Sequence, residues 1–273
     1  MKTSSCKFAA VTLAAVAAVG TAYANHSWAG YHWARTANPF TLQLGRNVDA
    51  NWTNILTTTA QDWTKSTVLD LTIVNGGAKP RNCRPTAGRV EVCNSAYGST
   101  GWLGVAQVWA SGTHITQGTV KLNDSYFNTS TYNSTAWRNL VSCQEVGHTL
   151  GLDHQDENFS NPNLGTCMDY TNDPSTNQHP NQHDYDELIT IYSHADTSTT
   201  VSMQTAADNL PAAMKGRDFD RESSWGQLKK RSRNGALETY ERDFGNGHKL
   251  VTHVFWALSE GGPADRQQRR NED

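Results

Sequence analysis

Apolar positions along residues 25–142 change between two periods, which predicts a mixed α/β region. Phe40 to Leu44 alternates apolar and polar residues as a strand. Trp52, Ile55, Leu56, Ala60 and Trp63 recur at every third or fourth position, so Asn51 to Trp63 is expected to be an amphipathic helix. Leu69, Leu71 and Ile73 alternate again and end at Asn75-Gly76-Gly77, a turn sequence. Arg89 to Cys93, Gly104 to Ala110 and Thr119 to Leu122 read as further short strands, and the tryptophans among them as core and cleft-wall residues.

A second helical pattern starts near Thr135 or Ala136, with Trp137, Leu140 and Val141 turned toward the sheet. Its C-terminal half carries Gln144 and His148, four residues apart and therefore on one face, with Glu145 on the flank of that face. Gly151 stands where this helix should stop, since glycine accepts the left-handed conformation that closes a helix. The chain can then turn back and bring His154 toward His148. An Asn-rich loop from Gln155 to Thr166 leads into Cys167-Met168-Asp169-Tyr170, and another polar loop runs to His183. Asp184 reads as the N-cap of a last helix, in which Tyr185, Leu188, Ile191 and Tyr192 keep helical spacing. Further on, Ala236 to Phe244 and Lys249 to Ala257 read as strands flanking Gly245-Asn246-Gly247, a hairpin turn, with Trp256 on the buried side. Beyond Gly261 the chain is polar and is expected to be disordered.

The ends of the 273-residue chain change this picture in two ways. Lys2 and Lys7, the apolar run from Phe8 to Gly20 and Ala22-Tyr23-Ala24 have the layout of a secretory signal peptide over residues 1–24, cleaved before Asn25. The run is too short to span a bilayer, and no later segment is apolar enough to do so. At the other end, Met214–Asp273 holds 12 basic and 10 acidic residues, whereas residues 25–213 hold 9 basic and 16 acidic. A charged extension over 201–273 is therefore set apart from a main domain over 25–200, either as a small module or as a hairpin packed on that domain. Its near-balanced charge does not point to nucleic acid.

Two imidazoles, an amide and a carboxylate converging on one point have the composition of a catalytic zinc site. Gln144-Glu145-x-x-His148-x-x-Gly151-x-x-His154, followed by Met168, resembles the metzincin signature His-Glu-x-x-His-x-x-Gly-x-x-His and its Met-turn. Counting Met168, five of the six fixed positions match, and Gln144 replaces the first histidine. Over about residues 32–195 the order of elements is also similar to that of a matrixin-like catalytic domain. The resemblance implies an α+β fold with a twisted, mostly parallel sheet, an active-site helix, a Met-turn and a C-terminal helix, here followed by a small extension with a β-hairpin. It also implies an edge strand, here Gly104 to Ala110, that pairs with an extended substrate.

In that reading zinc sits on Gln144, His148 and His154, Glu145 is the general base, and Met168 and Gly151 have structural roles. His179, His183 or Asp153 are the alternatives to Gln144 as third donor; otherwise the metal is lost and the chain is a metzincin-shaped binder. Tyr170 is either a fifth ligand or oxyanion donor, or a packed aromatic beside the cleft. The histidines that hold a second zinc in matrixins lack counterparts, with Gln107 in the edge strand, and His114 reads as a lone surface residue. No cysteine lies between the signal peptide and Cys83, so a cysteine-latch zymogen is not expected. The four cysteines after the signal, Cys83, Cys93, Cys143 and Cys167, allow three pairings. Cys83–Cys93 is preferred because it closes a short loop, and Cys143–Cys167 because it would pin the Met-turn beneath the metal. Asp153, Asp156, Glu157, Asp169 and Asp173 make calcium a second candidate cofactor, against a reading as solvated acidic loops. Asn51 and Asn133 lie in glycosylation sequons.

These features together lead to an exported, monomeric zinc endopeptidase that cleaves extended segments of other proteins, with no membrane span and no nucleic-acid partner. The rivals are a secreted metzincin-like binding protein without activity and an adhesion module whose working part is the C-terminal hairpin.

Overall fold

A computed structural model describes residues 26–156, 158, 161–202, 211–214, 219–232 and 235–257. The signal peptide assigned to residues 1–24 and the tail beyond Gly261 lie outside the described residues. The elements are β1 (His32–Trp33), β2 (Phe40–Asn47), α1 (Ala50–Trp63), β3 (Leu69–Asn75), β4 (Val90–Ser95), β5 (Trp102–Ser111) and β6 (His114–Asn123). They continue with α2 (Asp124–Phe127), α3 (Thr135–Thr149), α4 (Gln182–Ile191), β7 (Gln227–Arg231), β8 (Leu237–Asp243) and β9 (His248–Trp256). The strand periods place β2 and β3, and the helical period places α1 with Trp52, Ile55, Leu56, Ala60 and Trp63 all buried.

The strands form one sheet in the order β3-β2-β4-β6-β5-β9-β8-β7, with β1 paired to β6 at one end. Pairing is parallel through β3, β2, β4 and β6, and antiparallel from β6 to β5 and onward to β7. The expected mostly parallel sheet therefore describes only the first half. The parallel strands arise from the crossovers through α1 and the long β3–β4 connection, while tight turns force the later strands to run antiparallel.

The C-terminal hairpin is the larger departure. β9 pairs with β5 from Trp102↔Trp256 to Ser111↔His248, so the tail strands continue the sheet of the main domain. Gly104 to Ala110, expected to be an edge open to substrate, has β6 on one side and β9 on the other. The reason lies in its composition: β5 is apolar and buried along nearly its whole length, and such an edge left open would invite pairing with other chains. Val251, Val254 and Phe255 of β9 supply the apolar cover. The strand that ends the sheet on this side is β7, which is short, exposed and carries Lys229, Lys230 and Arg231.

Helix α3 is packed between α1 and the sheet, and its residues from Leu140 to Thr149 are all buried. Ser134 caps its N-terminus by accepting from the Trp137 amide. Trp63 donates its indole N–H to the Cys143 carbonyl at 3.1 Å, and Thr59 and Ser142 share a hydroxyl bond of 2.8 Å, which fixes α3 against α1. Both expected disulfides, Cys83–Cys93 and Cys143–Cys167, are formed. The last helix starts one turn earlier than expected. Asn181 is its N-cap, and Asp184 is the third helical residue, returning a bond to the Asn181 amide in a capping box. Among the described residues no helix is long and apolar enough to cross a membrane.

α3 can lie this close to β5 because Gly104 has no side chain. A Cβ there would stand 2.6 Å from a Val141 methyl and 2.9 Å from the Glu145 side chain. Gly104→Ala is therefore expected to push α3 off the sheet and lower stability by about 1–3 kcal/mol. A shift in the urea midpoint at unchanged slope would show it, and an unchanged midpoint would mean the contact relaxes freely.

Candidate metal centre

Tertiary contacts hold the C-terminal turn of α3. Trp33 donates its indole N–H to the Thr149 carbonyl at 2.9 Å, and the Tyr192 hydroxyl donates to the Leu150 carbonyl at 2.9 Å. These bonds satisfy carbonyls that the helix itself leaves without a partner. Gly151 then turns the chain at φ +99°, and the Trp28 amide donates to its carbonyl at 2.7 Å. A Cβ on Gly151 would sit 2.1 Å from the Tyr31 carbonyl oxygen, so position 151 is closed to any other residue on two counts. Three residues later the chain delivers His154 against His148, with ring centroids 4.6 Å apart.

A third imidazole completes the group. His253, on β9 opposite Ala106, has its ring centroid 3.6 Å from that of His148 and 4.5 Å from that of His154. The three side chains each offer a ligand nitrogen within 4.8 Å of the others, and all three are buried. His148 uses Nδ1 in a 2.8 Å bond with the Leu152 carbonyl, which leaves Nε2 as the lone-pair nitrogen with no hydrogen-bond partner. Neither ring nitrogen of His253 has a hydrogen bond, and its Nδ1 lies 3.5 Å from a Glu145 oxygen. Burial, reinforced by the neighbouring imidazoles, holds His148 and His253 well below the ordinary histidine range, so both are neutral and able to ligate.

Glu145 is fully buried beside this group, without a hydrogen bond of ordinary geometry to either oxygen. Burial raises its carboxyl well above the usual range, and the Ala106 backbone amide opposes that only in part. Burial would also raise Asp153, but His154 and a 2.6 Å bond from Lys230 of β7 outweigh it and hold that carboxyl low. The Tyr170 ring packs against His154 at 4.2 Å, and Met168 is buried beneath α3 where Gly147 leaves room for it.

Gln144 is buried; its amide nitrogen donates to the Cys167 carbonyl at 2.7 Å, tying α3 to the segment before Met168, and its Oε1 has no hydrogen-bond partner. Asp153 adjoins His154, with Oδ1 3.3 Å from Nδ1. The third imidazole of the group comes from His253. His179 pairs with Asp62 at 2.6 Å. His183 stacks on His26, and with Asp184 these two make a separate candidate metal group. There burial lowers His26 to about 4 and raises Asp184 to about 7. The carboxylates considered for calcium are held within loops: Asp169 accepts from the Leu164 amide and Asn177, Asp156 from the Asn158 amide, and Asp173 from the Ser175 amide. Among the described residues none of these carboxylates belongs to a group suited to a metal.

His253 was not singled out in the sequence. Its one local signal is a histidine within the apolar run Leu250 to Trp256 of an otherwise charged tail. His114, read as a lone surface residue, lies beside His32 and Asp196. No protein-family model matches the chain, and no curated protein matches it.

The environment of Glu145 sets a pH dependence. The folded chain keeps the Glu145 proton above 4.5, where the unfolded chain releases it, so this residue's contribution to stability is lost as pH rises above that value. Glu145→Gln in metal-free protein is expected to gain on the wild type as pH rises above about 5, by up to about 1.4 kcal/mol per unit. Urea midpoints measured as pH rises would show the gain, and a flat difference would mean that Glu145 is ionised in the folded chain.

Proposed function

We propose that this chain is an exported zinc-dependent endopeptidase of the metzincin type, with zinc held by His148, His154 and His253. The observation that carries the reading is the convergence of three buried imidazoles beside the fully buried carboxyl of Glu145. The donor set fits the metal: three imidazole nitrogens, one of them oriented by the Leu152 carbonyl, suit the borderline character of zinc. Met168 beneath α3 and Tyr170 against His154 agree with the resemblance in the signature. Export agrees with the two disulfides and with the N-terminal pattern.

When bound, zinc would supply a Lewis acid that lowers the pKa of water and polarises a peptide carbonyl. Glu145 is placed to take a proton from the attacking water and to deliver it to the departing amine, and its raised proton affinity suits both transfers. Tyr170 offers a hydroxyl to the developing oxyanion. Lys230 and His154 keep Asp153 ionised next to the ligand, which steadies the His154 ring. With β9 along β5, this reading does not keep β5 as the strand that pairs with substrate.

A second reading has its own support. Structural zinc sites are closed, whereas catalytic sites keep an open position, and here all three imidazoles and Glu145 are buried under β9. That pattern suits a metzincin-like binding protein in which the metal only holds the hairpin in place.

Hydrolysis of an unstructured protein by the chain with zinc, beside Glu145→Ala and His253→Ala, separates the two, with zinc affinity measured on all three. The endopeptidase reading expects cleavage by the wild type and a loss on the order of 10²-fold or more in Glu145→Ala. It also expects His253→Ala to lose more zinc affinity than the about 10–100-fold typical of a lost outer partner. Zinc binding without cleavage by the folded wild type would leave the closed metal site standing. Faster cleavage by His253→Ala would mean that His253 blocks the site instead of building it.

A further inference from the structure

We propose that His32, His114, His194 and Asp196 form a second zinc site, built on other elements than the His148–His154–His253 group. His32 and His114 are register partners in the β1–β6 pair, and the segment after α4 brings His194 and Asp196 over them. His194 Nε2 lies 3.2 Å from His32 Nε2, and His114 Nε2 lies 3.2 Å from Asp196 Oδ1. That same Oδ1 is 3.6 Å from His32 Nε2 and 3.7 Å from His194 Nε2. A tetrahedron with metal–ligand bonds of about 2.0 Å has edges of about 3.3 Å, and these four separations are near that length; His32, His114 and Asp196 each offer a ligand atom within 4.8 Å of the other two. The His32 and His114 rings stand at 84° to each other, and those of His32 and His194 at 86°, so the donors approach from different directions.

The donors are oriented by bonds that leave the ligand atoms facing inward. His32 Nδ1 is within 2.8 Å of the Gly30 carbonyl, which fixes the proton there and turns the Nε2 lone pair toward the cluster. Asp196 Oδ2 accepts from the Arg35 amide at 3.1 Å and from its guanidinium at 2.8 Å, so Oδ1 is the oxygen presented to the three imidazoles. Arg35 in turn stacks over Tyr192 and donates to the His194 carbonyl, which sets the path of the chain between the two ligands. Three imidazole nitrogens and one carboxylate oxygen in a tetrahedron select zinc over calcium or magnesium, which prefer more oxygen ligands.

Such an ion would cross-link the N-terminal strand, the β5–β6 turn and the segment after α4. The β5–β6 turn is also where the Gly112 amide donates to the Gly247 carbonyl of the β8–β9 turn at 2.9 Å. The site therefore braces the end of the sheet on which the hairpin is seated.

His114 and His194 have side chains 37% and 50% exposed, so their reactivity can be read without changing the protein. Carbethoxylation of the wild-type chain is followed by mass spectrometry with zinc and after chelation. Because a metal occupies the nitrogen lone pair, zinc is expected to slow modification of His114 and His194 on the order of 10-fold or more. In parallel, His114→Ala/His194→Ala is expected to bind one zinc ion fewer per chain than the wild type. A His148→Ala chain should still show zinc protection of His114 and His194, which separates this site from the one proposed for catalysis. Equal modification with and without zinc, or unchanged zinc content in a folded double variant, overturns the proposal and leaves a hydrogen-bonded polar cluster only. If the double variant does not fold, the wild-type modification rates decide.

Discussion

The ladder between β5 and β9 is the constraint on which the candidate metal centre depends. Its register sets Ala106 opposite His253 and Val105 opposite Val254. Side chains alternate along a strand, so a slip of one residue would move His253 to the other face of the sheet and send Val254 toward His148. Gly104, one pair along, lets α3 approach until Glu145 and Val141 nearly touch the strand. Helix, strand and hairpin thus meet within one or two ladder steps, and the three imidazoles are brought together by backbone pairing as much as by their own contacts.

The local parts of this arrangement were readable in the sequence. The period of α1, the start of the ligand helix near Thr135 and its stop at Gly151, and the Gly245-Asn246-Gly247 turn are signals carried within a few residues, and the elements appear where those signals lie. The disulfides follow from an even count of cysteines, a short span for Cys83–Cys93, and for Cys143–Cys167 the nearness of the two cysteines to the ligand helix and to Met168. What was not readable is where the hairpin goes. A β-hairpin with one apolar face needs a partner, and nothing local says whether that partner is a separate module or the edge of β5. For the same reason Gly104 to Ala110 was expected to be an open edge and His253 passed without a role. The Asp184 cap was misplaced by three residues because Asn181 and Asp184 are both good cap residues, and only the reciprocal bond decides between them.

Gln144 lies one turn before His148 on α3. Here its amide nitrogen is bonded to the Cys167 carbonyl, next to the Cys143–Cys167 bridge and Met168. Gln144 thereby links α3 to the loop beneath it, while its Oε1 has no hydrogen-bond partner. The third imidazole of the candidate centre comes from the other side, on β9, which no spacing rule within α3 could foresee.

The placement of the polar clusters makes a further physical point. Burying neutral imidazoles and a protonated carboxyl in an apolar core is costly unless they gain partners. This chain does so at positions where segments distant in sequence meet: β9 with α3 at His253 and His148, and β1 with the post-α4 segment at His32 and Asp196. Sheet pairing alone holds β1 by only two residues, and β9 by a ladder whose far side is the short hairpin β8–β7. A cation bound at the proposed sites would add at each joint a tie that a two-residue strand or a terminal hairpin cannot supply, and metal ligation would then be coupled to closure of the fold.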